Sequence, residues 1–119
     1  MTADVKELRV WQHAVDLCEE VYRATGGFPA SEAFGLTGQM RRAGLSVPSN
    51  LAEGYGRGSR GDYRKFARIA RGSAFELETQ IILAERLGFL SRESAEELGT
   101  GVRDVLKMLH GLIGSLGDS

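Results

Sequence analysis

Ala95, Leu98, Val102, Val105, Leu109, Leu112 and Leu116 follow one another at alternating steps of three and four residues, without a break. At 100° per residue this spacing holds all seven on one face of an α-helix, whereas a strand would throw them onto both faces. A helix with one apolar face is marginal alone and gains its stability by packing that face against others. Ser91 stands just ahead of the pattern and is the predicted N-cap. The chain must therefore supply partner helices.

Three more stripes supply them. Leu8, Trp11, Val15, Cys18, Tyr22 and Thr25 step by three and four, flanked by Val10, Ala14, Leu17 and Val21, and Gly26-Gly27 with Phe28-Pro29 ends this first helix. Ser31 is the expected N-cap of a second helix, with Leu36, Met40, Ala43, Val47 and Leu51 on its apolar side. Pro48 falls inside that pattern. It removes one hydrogen bond and crowds the carbonyl of Gly44, where the backbone adjusts freely, so one helix kinked at Pro48 is predicted instead of two. Asn50 and Glu53, just past the proline, are expected to serve structure, with Asn50 bonding across the bundle.

Gly54, Gly56, Gly58 and Gly61 break the pattern and are expected to form a flexible connection. Ser59, with Asp62 three positions on, resembles a capping box opening a third helix. Its predicted core positions are Phe66, Ile69, Ala70, Ser73, Leu77, Ile81, Ala84 and Leu87, running to about Phe89, or roughly 45 Å at 1.5 Å per residue. No alternation of period two is sustained, and the connections are short. The prediction is all-α, one antiparallel up-down-up-down four-helix bundle over residues 1–119.

Composition bounds the function. Hydrophobic residues make up 42% and charged residues 26%, values of a globular chain. No apolar stretch approaches the twenty residues of a membrane span and no leader pattern opens the sequence, so a cytoplasmic protein without membrane association is expected. Cys18 is the single cysteine, which rules out an internal disulfide and cysteine-based zinc sites, and its place on an apolar stripe reads as core. His13 and His110 form no Glu-x-x-His pair, and Glu76 and Glu78 point to different faces. The glycines lack the Gly-Lys-Ser/Thr of a phosphate loop. Neither a metal, a cofactor nor an enzymatic activity is expected.

Charge is unevenly spread. The net charge is -1, yet residues 41–71 hold eight basic residues (Arg41, Arg42, Arg57, Arg60, Arg64, Lys65, Arg68, Arg71) against Glu53 and Asp62, so this stretch carries about +6 and the remainder about -7. On a helical wheel Arg60, Arg64, Arg68 and Arg71 share an arc predicted to lie opposite the core. Tyr55 and Tyr63 are nearby candidates for stacking. Further along the third helix the same arc turns apolar at Phe75, Ile82 and Phe89, with Leu83 and Leu90 to one side, a seam expected to bury itself against a second copy.

Ser46-Val47-Pro48-Ser49-Asn50-Leu51-Ala52-Glu53-Gly54, Gly72-Ser73 and Glu76-Leu77-Glu78-Thr79-Gln80, with Val10-Trp11-Gln12 and Gln39-Met40-Arg41-Arg42-Ala43, carry a family likeness. They resemble the four-helix-bundle family first noticed in intervening sequences of bacterial 23S ribosomal RNA genes. Val47 and Leu51 stand where isoleucine is usual, and the fourth helix has extra glycines. The resemblance implies a bacterial bundle assembling into pentameric rings. It also implies kinship with the accessory variability protein of diversity-generating retroelements, a basic protein associated with nucleic acid and a reverse transcriptase. The sequence thus leads to a homo-oligomer that binds RNA or DNA through its basic segment. A protein-binding scaffold is the competing expectation.

Overall fold

In a computed structural model, residues 4–117 form four helices: α1 Arg9–Thr25, α2 Leu36–Gly56, α3 Arg60–Arg86 and α4 Arg92–Ser115. Single 3-10 turns precede α1 (Val5–Glu7) and α2 (Ala30–Glu32), and no strand occurs among the described residues. Each helix packs on its chain neighbours and α1 also packs on α4, while among the described residues the backbones of the diagonal pairs stay more than 8 Å apart, Cα to Cα. The result is a closed square of helices, 45 × 20 × 20 Å. Side chains from all four meet in one core, where Leu17, Met40, Leu51, Leu77 and Leu109 are the largest buried completely. Each such side chain contributes about 1.5–3 kcal/mol by leaving water.

Serine caps start the last two helices as expected. Ser59 Oγ accepts from the Asp62 amide at 3.1 Å and Ser91 Oγ from the Ser94 amide at 3.0 Å. Ser31 does not cap α2. It lies in the 3-10 turn, Gly35 occupies the N-cap, and Glu32 Oε1 reaches forward to accept from the Leu36 amide at 2.9 Å. A carboxylate over a helix N-terminus gains from the helix dipole as well as from the hydrogen bond.

α2 passes through Pro48 as one helix, with Gly44 and Pro48 both buried. Gly44 is also a packing residue: a Cβ there would sit 3.7 Å from the Cys18 Cα and the Val21 side chain. The glycine segment is mostly helix and not the expected flexible connection. α2 continues to Gly56 and α3 begins at Arg60, leaving Arg57–Ser59 as the whole connection, turned by Gly58 at φ 83°. Gly54 lies inside α2 against α3, where a Cβ would come within 2.7 Å of the Phe66 Cβ and 3.2 Å of the Tyr63 Cα. It is a close-approach residue, not a flexible one.

That approach sets the face α3 buries: Tyr63, Ala67, Ala70, Ala74, Leu77, Ile81 and Ala84. The predicted Ile69 and Leu87 are exposed instead, and Phe66 and Ser73 are half-buried at the α2 border. Small alanines admit the neighbouring backbones where larger residues would hold them apart. The helix stops at Arg86, three residues short of expectation, because Gly88 adopts φ 80°. The Phe89 amide then donates to the Ala84 carbonyl at 2.9 Å and the Gly88 amide to Glu85 at 3.0 Å, a Schellman cap.

Candidate nucleic-acid interface

The rotation of α3 moves its arginines. With the core stripe centred between Tyr63 and Leu77, the arc of Arg60, Arg64, Arg68 and Arg71 stands roughly 100° from it, beside the core and not opposite. Arg64 and Arg71 are accordingly half-buried, while Arg60, Lys65 and Arg68 are exposed. An open groove of about 540 Å³ lies here, lined by Arg60, Gly61, Arg64, Lys65 and Arg68 of α3 and by Leu116 and Gly117 after α4. Four cations and, among the described residues, no carboxylate line it. Arg60 Nη2 donates to the Ser115 carbonyl at 2.7 Å, tying the start of α3 to the negative end of the α4 dipole.

The other predicted cations are elsewhere. Arg57 donates from Nε to Glu53 Oε2 at 2.8 Å, an i,i+4 ion pair, and its guanidinium lies 5.0 Å from the Phe66 ring centre. Glu53 therefore serves by neutralising Arg57. Arg41 reaches α1: its Nε donates to Thr25 Oγ1 at 2.8 Å, its Nη2 to the Tyr22 carbonyl at 3.2 Å, and it covers the Tyr22 ring at 4.8 Å. Carbonyls at the end of a helix lack intrahelical donors, and Arg41 satisfies one of them. Arg42 is exposed on α2, about four turns before the groove-side end of that helix.

The two tyrosines pack on each other, and Tyr63 has no open ring face. Tyr63 is buried, which pushes its phenol pKa up, and Tyr55 meets it edge-on at 5.5 Å. Asn50 bonds within its own helix, donating to the Ser46 carbonyl at 2.8 Å and to Ser46 Oγ at 2.9 Å. Ser46 Oγ makes the crossing to α3, 2.7 Å from Ser73 Oγ. The link across the bundle is thus made by Ser46 and not, as expected, by Asn50, which supports it from the next turn.

The seam divides. Phe75, Ile82 and Leu83 are 47%, 51% and 46% exposed, and Leu87 joins them at 54%. Phe89 and Leu90 fold back into the protein's own core beyond the Gly88 cap, with Phe89 against Phe28 at 5.5 Å. Sequence reasoning missed Leu87 by assigning it to the core. His110, held by the Leu106 carbonyl at 2.8 Å, meets Phe75 edge-on at 6.3 Å but leaves half of it open.

Negative charge gathers on another side. Between α1 and α4 a shallow groove is lined by Glu20, Arg23, Ala24, Ser94, Glu97 and Leu98. Burial, with Asp16 and Glu97 nearby, raises the Glu20 pKa above the usual carboxylate range. Burial likewise pushes the Cys18 thiol up, away from the reactive thiolate. Among the described residues no three His, Cys, Asp or Glu side chains converge on a metal-sized site, and no helix is long and apolar enough to cross a membrane.

Four amphipathic helices with a cationic groove at one end define the class, a helical bundle. Residues 6–111 match the family model of the 23S rRNA-intervening sequence protein, and the chain belongs to that family. It is similar to a crystal structure from Bacteroides thetaiotaomicron, a protein of unknown function from the S23 ribosomal protein family. The two are 23% identical, with a TM-score of 0.78 over 87% of this chain and 97% of the other, a likeness of fold. No curated protein matches the chain.

Proposed function

We propose that the protein is a non-enzymatic, homo-oligomeric nucleic-acid-binding protein of the cytoplasm whose cationic groove engages phosphates. The observation that carries the reading is the set of Arg60, Arg64, Lys65 and Arg68 around one open groove without a carboxylate among the described residues. Surfaces that are merely solvated mix both signs, whereas cations gathered on one side of a groove concentrate anions there. The architecture we infer is up-down-up-down, since connections this short inside a 45 Å bundle force the chain to reverse after each helix. A bend at Pro48 accompanies the hydrogen bond it forgoes.

Oligomerisation is supported by Phe75, Ile82 and Leu83 of α3 and Leu87 at its C-cap, all apolar and about half exposed. Joining copies multiplies the groove and raises avidity without a new contact. With four phosphates contacted, log affinity against log salt should slope at about -3 to -4. Reversing Lys65 and Arg68 to glutamate should weaken binding by about tenfold to a hundredfold near 0.1 M salt and flatten the slope by about two. Affinity that survives the reversal favours the second reading, a protein-binding scaffold using the apolar seam.

A further inference from the structure

Resting on the nucleic-acid reading above, we propose that the groove grips paired, helical nucleic acid by its backbone and not unpaired strands by their bases. The cations stand on one helix at steps of four residues, so Arg60, Arg64 and Arg68 form a ladder with rungs about 6 Å apart and about 12 Å long. Their spacing is set before any ligand arrives. α3 is a packed core helix, Arg60 is tied to the Ser115 carbonyl at 2.7 Å, and Arg64 is half-buried. A rigid ladder matches a ligand whose phosphates are themselves held in place. A duplex carries about seven phosphates along 12 Å of axis, counting both strands, more than enough to meet four cations.

An unpaired strand presents a different problem. It must be ordered on binding, and proteins that take single strands offset that cost by stacking bases on exposed aromatic rings, about 1–3 kcal/mol per base. Among the described residues, none that lines this groove is aromatic. Tyr63 is buried, Tyr55 packs against it, and Phe66 has Arg57 at 5.0 Å and Lys65 at 5.6 Å over its ring. Phe75 is half exposed on the same arc, but about 10 Å beyond Arg68, with His110 at its edge. Contacts confined to phosphates carry no sequence information, so binding should be indifferent to sequence.

The experiment compares a DNA duplex and an RNA hairpin stem of about 20 base pairs with an oligo-dT of equal length, by fluorescence anisotropy across a salt series. Both paired ligands should bind about tenfold tighter than oligo-dT, with a slope near about -3.6, and scrambling the duplex sequence should leave affinity within about twofold. Oligo-dT binding as well as the duplexes, or a loss of duplex affinity in Phe75→Ala, overturns the proposal while leaving nucleic-acid binding standing. Absence of binding to all three ligands at low salt overturns the broader reading with it. The Lys65→Glu, Arg68→Glu double variant should lose duplex binding, and Arg92→Glu at the other end of the bundle should keep it.

Discussion

The two halves of α3 bury the same kind of stripe and present different surfaces. Inward, Ala67, Ala70 and Ala74 give way to Leu77, Ile81 and Ala84, all buried. Outward, Arg60 to Arg71 is cationic, while Phe75, Ile82, Leu83 and Leu87 are apolar. The core fixes how the helix sits, and the outer surfaces are then free to differ. An electrostatic surface weakens as salt rises and an apolar one does not. On the function proposed above, one helix would hold a salt-sensitive contact apart from a salt-insensitive one.

Breaking the apolar half should produce the largest change. In Ile82→Glu with Leu83→Glu, light scattering should show the particle mass fall from a multiple of 12.9 kDa to that of one chain, with helicity kept because both positions are exposed. Binding per groove should persist, but avidity should drop by a factor of about 10² or more as the grooves separate. A wild-type protein that is already monomeric at micromolar concentration would remove the apolar half from the comparison.

The next largest effect tests why the cationic half is so closely held. Gly54→Ala puts a Cβ 2.7 Å from the Phe66 Cβ and 3.2 Å from the Tyr63 Cα, and backbone cannot yield as a side-chain tip can. Overpacking of this kind costs about 1–3 kcal/mol, to be read as a lower urea midpoint at unchanged m-value. If α2 and α3 part to admit the methyl, the groove cations shift and duplex affinity falls as well. An unchanged midpoint would mean that the contact is looser than its geometry.

How far the sequence revealed all this follows from what periodicity measures. It located four helices, the serine caps at Ser59 and Ser91, and the buried face of α4 from Ala95 to Leu109. It misjudged which way α3 faces. In α1 the wide apolar stripe does face the core, with Val10, Ala14, Leu17, Cys18, Val21 and Thr25 buried, and Tyr22 alone of its larger members lies outside beneath Arg41. In α3 larger residues drew the stripe to Ile69, whereas close packing selects Ala67 and Ala74. Glycine misled for the same reason: Gly54 signals a break by propensity and an approach by packing, and the partner helix decides between them. The basic groove was half legible. The arginine spacing was plain, but Leu116 and Gly117 join through tertiary contact and Arg41 is engaged across to α1, while the four-residue spacing of Glu53 and Arg57 was a local signal hidden by reading the glycine segment as a loop.

The smallest expected effect marks the boundary itself. Gly72 lies between the last arginine and the first exposed phenylalanine, in the interior of α3, and a Cβ there would touch nothing within 4 Å. Glycine at an open helical position costs about 0.5–1 kcal/mol relative to alanine, largely through the freedom it gives the unfolded chain. Gly72→Ala should therefore raise the Tm by about 2–5 °C for a domain of this size. A rise with assembly and duplex affinity unchanged would show two halves that work independently on one rigid helix. A rise that comes with weaker duplex binding would show instead that the two halves must flex against each other at Gly72, and the division drawn here would become a hinge.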